Sequence, residues 1–130
     1  MYQTPKISVS WGEVFDKITI LQIKLERIKD EQKLKNIKFE LDELLKATEV
    51  LQLQESLTND IKELKKVNEE LWDIEDAIRQ LEKKKQFDSR FIELARNVYI
   101  KNDLRYSIKR RINDRLNSTI KEEKSYTDYK

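Results

Sequence analysis

Apolar residues recur along this chain at intervals of three and four with charged residues between them, a period that predicts helices almost throughout. The first stripe, Val14, Ile18, Leu21, Leu25 and Ile28, holds one face at the helical angle. Ahead of it, Ser10 and Glu13 have capping-box spacing: the hydroxyl accepts from the Glu13 amide while the Glu13 carboxylate reaches back. A first helix is therefore expected to begin at Ser10 and run to Lys29. Asp30 can cap a new turn, and the stripe restarts at Leu34, Ile37, Leu41, Leu44 and Leu45, which predicts a break near Asp30 and a second helix fading near Thr48. From Ala47 to Asn59 the residues Val50, Leu51, Leu53 and Leu57 keep no single register, so a turn is expected there. Ile61, Leu64, Val67, Leu71, Ile74, Ile78 and Leu81 then form the seam of a coiled-coil-like third helix, closed by Lys83, Lys84 and Lys85 at the negative end of its dipole. Asp88 can cap a fourth helix on Phe91, Ala95, Val98, Ile112 and Leu116, ending near Asn117.

These elements imply an all-α fold in one domain over residues 1–130, an antiparallel helical bundle or coiled-coil-like hairpin of three to four long helices. Residues 1–9 hold the only proline, Pro5, and the alternating Ile7 and Val9; they read as a short extended arm tied down at Ile7. By composition, residues 121–130 read as a polar, mobile tail.

The departures from the pattern carry the functional content. Asn102, Arg105 and Lys109 project onto the face of the fourth helix that also carries Phe91, Val98, Ile112 and Leu116. Polar groups on a core face need partners, since an unpaired buried charge costs several kcal/mol. Either the helix bends so that Leu104 and Ile108 take over the core and the polar groups meet water, or the three form the floor of an anion-binding pocket. On the first helix Ile20 and Ile23 lie opposite the main stripe with Asp16 and Arg27, so that helix is central in the bundle or part of an oligomer interface. Asp16 would then need a cation, and Arg105 or Lys109 would supply it. The flank of the third helix carries Asn68, Trp72, Glu75 and Arg79, where an indole sits among hydrogen-bonding groups at the core edge.

Composition narrows the chemistry further. The chain has no cysteine, no histidine and a single glycine, Gly12, which removes thiolate and imidazole catalysis, zinc fingers, disulfides and Gly-rich phosphate loops. Glu69, Asp73 and Asp76 have metal-like spacing but point away from the apolar seam, so no metal or cofactor is expected. A net charge of +2 with both signs mixed makes a nucleic-acid partner unexpected, and the run Lys109, Arg110, Arg111 points in three directions. No stretch is apolar enough for a membrane span and no signal-peptide layout is present, so a cytoplasmic protein is expected.

Four strings also resemble a known family: VSWGEVFDKITILQIK, LWDIEDAIR, FIELARNVYIKNDLR and EEKSY are similar to segments of short uncharacterised bacterial and phage proteins grouped as a domain of unknown function. For a phage member the expected compartment is the host cytoplasm. The resemblance implies weight at Glu13, Asp16, Lys17 and Lys24, at Trp72, Glu75, Asp76 and Arg79, and at Arg96, Tyr99, Asn102, Asp103 and Arg105. It also implies, against composition, that Glu122, Glu123, Lys124 and Tyr126 dock. Where relatives place Gly before Ser after the fourth helix, this chain has Asn117, a residue that tolerates the same left-handed turn.

The function expected is a non-catalytic interaction module, a homodimer or partner-binding protein using the second face of the first helix or the Trp72 flank. The alternative is a small all-α enzyme or binding protein for an anionic metabolite, a nucleotide or phosphorylated sugar. Its ligand-binding residues would be Asp16, Lys17, Lys24, Asn68, Trp72, Glu75, Arg79, Asn102, Arg105 and Lys109, with the catalytic residue unassigned.

Overall fold

The computed structural model describes residues 1–130 as four helices: α1 over Trp11–Arg27, α2 over Glu31–Thr48, α3 over Glu55–Lys83 and α4 over Ser89–Arg115. Three of the four starts are built by the expected caps. Ser10 Oγ accepts from the Glu13 amide at 3.1 Å, Asp30 from Lys33 at 3.0 Å and Asp88 from Phe91 at 3.2 Å. α1 stops at Ile28, whose extended backbone turns the chain into the Asp30 cap. α4 stops where Asn117 takes a positive φ of 50° and the Ser118 amide donates to the Asn113 carbonyl at 2.8 Å, a left-handed helix end with Asn in the usual place of glycine.

α3 begins earlier than the pattern suggested, and the turn expected over Ala47–Asn59 shrinks to the residues between Thr48 and Glu55. Leu57 is the reason. It is buried and continues the stripe of Ile61 and Leu64 one turn backwards, whereas Val50 and Leu53, which blurred the register, are exposed. The arm before Ser10 is extended, but Ile7 does not tie it down: its side chain is 81% exposed because no helix passes over it.

The pairings of side chains give the order of the bundle. Lys17 of α1 meets Glu40 of α2, Glu70 of α3 meets Lys101 of α4, and Glu13 of α1 meets Lys109 of α4, so each of these pairs runs antiparallel. α1 packs on all three other helices, while α2 touches only α1. That central position explains why α1 is apolar on two faces: Val14, Ile18 and Leu21 enter the main core and Ile23, on the other side, is 1% exposed. On that second face Ile23 is covered within the chain, whereas Ile20 stays partly exposed. The core joins these residues to Ile37 and Leu41 of α2, Leu57, Leu64 and Val67 of α3, and Ile108 and Ile112 of α4. It ends on α3 at Leu71, leaving the outer half of the α3/α4 hairpin outside it.

No helix is long and apolar enough to cross a membrane.

Candidate functional site

The site is set by the place where α1 meets α4. Gly12 sits directly against α4; its amide donates to Asn113 Oδ1 at 2.6 Å, and a Cβ in its place would lie 2.7 Å from the Lys109 carbonyl oxygen. Only a residue without a side chain allows that approach. One turn further along α1 is Asp16, 1% exposed, facing the polar fault in α4.

Asp16 is fully engaged. Its Oδ1 accepts from Arg105 Nε at 2.9 Å and from Asn68 Nδ2 at 3.0 Å, its Oδ2 accepts from Arg105 Nη2, and Lys109 Nζ stands 3.9 Å away. Asn68 also donates to Thr19 Oγ at 3.0 Å, whose own hydroxyl donates to the Asp16 carbonyl. Burial by itself would raise the Asp16 carboxyl, but the Arg105 hydrogen bonds and charge, with Asn68 and Lys109, outweigh it and hold the group below the ordinary carboxylate range. Hydrogen bonding to Asp16 raises Arg105 in turn. Such an acid, sealed and saturated, is no proton acceptor; what it does is fix Arg105.

Lys109 is the second buried charge. Burial lowers its affinity for a proton, but the carboxylates of Glu122, Glu13 and Asp16 outweigh that and raise it. It donates to Glu13 Oε2 at 2.9 Å and forms an ion pair at the same distance with Glu122 Oε1, an oxygen that makes no directed hydrogen bond. Glu122 lies in the C-terminal segment, which lies along α4: Tyr106 donates to the Glu122 carbonyl at 3.1 Å, Arg110 pairs with Glu123 at 2.9 Å, and Lys124 stands over the Tyr106 ring. The segment that composition marks as mobile is held at Glu122, Glu123 and Lys124, whereas Tyr126 is 83% exposed.

Beyond Asp16 the helices leave a groove of about 480 Å³. Asn68, Leu71, Trp72, Glu75, Asp76 and Arg79 of α3 line it, with Ile20 of α1 and Asn102 and Arg105 of α4. Arg27 lies over the Trp72 indole, 5.7 Å from the ring centre. Of the ten candidate residues, Asn68, Trp72, Glu75, Arg79, Asn102 and Arg105 therefore share one groove; Asp16 anchors it from beneath, and Lys109 braces Asp16 from the far side. Neither account of the α4 fault holds whole. Ile108 does take the core, at 0% exposure, but Leu104 is 37% exposed and the cations meet acids, not water.

Lys17 and Lys24 do not belong to this site. Lys17 is exposed and reaches Glu40 of α2 at 3.4 Å; Lys24, two turns on along the same face of α1, is also outside the groove. Glu69, Asp73 and Asp76 do not converge, and no group of three acidic side chains is placed to hold a metal ion. The basic run is neutralised in pieces: Arg110 by Glu123, Arg111 by Asp60 and Glu63, and Arg115 by the buried Asp60.

Sequence reasoning missed Asn113, Asp60 and Ser118, all buried. Asn113 had a signal, since it continues the steps of four from Arg105 and Lys109. Asp60 and Ser118 had none, being single polar residues near helix ends.

A family model described as a family of unknown function, DUF6165, matches residues 5–129. The chain belongs to this family. The match takes in the groove, the Asp16 cluster and the C-terminal segment alike. No curated protein and no solved structure matches the chain.

Proposed function

We propose that this chain is a non-catalytic interaction module that works as a homodimer, joined through the outer half of the α3/α4 hairpin. Exposed area is the observation that carries this reading. A compact protein of 15.8 kDa leaves about 7,300 Å² accessible. This chain leaves 9760 Å², an excess of roughly 2,400 Å² over that expectation. The extended residues 1–9 account for part of it. The exposed C-terminal residues and the outer half of the hairpin add to it: every hydrogen bond or ion pair from α1 to the hairpin falls on Lys65, Asn68, Asp73, Arg105, Lys109 and Asn113, and α2 does not reach it.

Outside that zone Leu94 of α4 is buried, but the rest of the seam is only half covered. Ile74, Ile78 and Leu81 of α3 and Phe91, Ala95 and Val98 of α4 all stay partly exposed, while Phe87 and Ile92 near the tip are 55% and 57% exposed. A two-helix arm with such a seam is half of a four-helix bundle. A second copy would supply the same surface in return, with about 800 Å² per partner being enough for a stable interface. In this reading the cytoplasm is the working compartment.

Sedimentation at low micromolar concentration is expected to give twice the mass of one chain, and Ile92→Glu, on an exposed position, is expected to weaken association at least ~10-fold with unchanged helicity. A wild-type monomer at high micromolar concentration would overturn the reading.

A further inference from the structure

The groove points to a second activity, separate from pairing of the arms. We propose that it binds a small zwitterion of the amino-acid type, with an ammonium and a carboxylate on an apolar body. It is an open groove of about 480 Å³, large enough for a molecule of amino-acid size. Its lining divides into three kinds of surface, and each sets one requirement on the ligand.

The first is Arg105. A guanidinium has five N–H groups in a fixed plane. Here Nε and one N–H of Nη2 go to Asp16, and one N–H of Nη1 goes to Asn102 Oδ1 at 3.3 Å. By count, one N–H on each terminal nitrogen remains without a protein acceptor, and a ligand carboxylate can accept from these charged donors. Because Asp16 and Asn102 hold the plane still, little rotamer freedom is left to lose on binding.

The second surface is acidic. Glu75 accepts from Arg79 through Oε2 and Asp76 from Gln80 through Oδ2, which leaves Oε1 of one and Oδ1 of the other without hydrogen bonds. Both residues line the groove. They suit an ammonium group.

The third is apolar: Ile20, Leu71 and the Trp72 indole. Charge then selects among ligands. The two arginines of the lining are matched by its two carboxylates, Arg27 over the Trp72 indole is paired with Asp73, and Asp16 is a further negative charge beneath Arg105. No positive surplus is left for a phosphate dianion, so the nucleotide or phosphosugar expected from sequence suits the groove less well than a molecule carrying both charges.

The test is amide and indole NMR shifts of the full chain titrated with four probes that share one ring: phenylalanine, phenylacetate, phenethylamine and phenyl phosphate. Phenylalanine is expected to shift the Trp72 indole and the Asn102 side-chain amide saturably, with a millimolar dissociation constant. Phenylacetate and phenethylamine, each lacking one charge, are expected to bind at least ~10-fold more weakly. Glu75→Gln, an exposed change that leaves the fold intact, is expected to bring phenylalanine down to the affinity of phenylacetate in the same variant, while phenylacetate, with Arg79 released from Glu75, binds no more weakly than to the wild type. Tighter binding of phenyl phosphate than of phenylalanine, or no saturable shift at Trp72 with any probe, would overturn the proposal. Because the dimer is read from mass and this site from shifts at Trp72, either idea can fail without the other.

Discussion

Asp16→Ala is expected to lower the unfolding free energy by about 3–5 kcal/mol, the usual result of removing one partner from a buried ion pair. The loss arises less from the attraction removed than from the charges left behind. Arg105 would keep only its bond to Asn102, and Lys109, 6% exposed, would lose one of its three acids. Asn68 would also lose the acceptor for one amide N–H, keeping its bond to Thr19. Against a total stability of roughly 5–15 kcal/mol, this one substitution can bring the folded state close to its limit. The double variant Asp16→Ala with Arg105→Met removes both charges and is expected to recover about 2 kcal/mol of coupling. Urea midpoints measure both; a loss under about 1 kcal/mol for Asp16→Ala would show that this ion pair is not a main support of the fold.

The same carboxylate sets the response to acid. Its folded pKa lies below the ordinary value, so on acidification the unfolded chain takes up this proton first. The stability it contributes is therefore complete above the unfolded value of ~3.9 and is lost as pH falls through the lowered folded one. Lys109 works at the other end: its folded pKa is raised, so its contribution is complete below ~10.4 and is lost as pH rises through the folded value. Urea midpoints followed down from neutral pH should fall steeply below about pH 4 for the wild type and less steeply for Asp16→Asn.

Most of the helical skeleton was legible because it rests on local rules. Ser10, Asp30 and Asp88 cap through their own side chains, and periodicity survives wherever one face is buried. The start of α3 was misplaced because Leu57 belongs to a stripe that two exposed neighbours, Val50 and Leu53, obscure. The polar fault at Asn102, Arg105 and Lys109 could be seen from one helix alone, since a charge on a core face is anomalous wherever the partner is. Pairing Arg105 with Asp16 was legible as a need, because Asp16 lay on a face that had to be covered. Which groups would stand together in a groove depended on how α1 leaves α4, and no local pattern encodes that. Lys17 and Lys24 show the same limit: they share a face of α1, but whether it looks at α2 or at the groove is decided by the turn after Arg27.

Gly12→Ala is the second large effect, and its sign runs against helix propensity. In an open helix, alanine in place of glycine stabilises by about 1 kcal/mol. Here the added carbon would sit 2.7 Å from the Lys109 carbonyl oxygen, 3.0 Å from Asn113 Oδ1 and 3.2 Å from Asn113 Nδ2. The side-chain contacts could give way, but the carbonyl is part of α4 and moves only if the two helices separate. Separation stretches the Gly12 bond to Asn113, whose side chain is buried and has no water to turn to. Overpacking and the weakened bond together outweigh the gain in propensity, and a net loss of about 2–3 kcal/mol is expected. A urea midpoint above that of the wild type would refute this account of the contact. The displacement should also reach the site, because Asp16 lies one turn from Gly12 on the same side of α1. Moving α1 away from α4 lengthens the Asp16–Arg105 contacts and frees the guanidinium, so Gly12→Ala should also change the amide shifts of Asn102 and Arg105, which line the groove. The one glycine of the chain thus fixes the distance at which α1 crosses α4, and through that distance the orientation of the arginine in the groove.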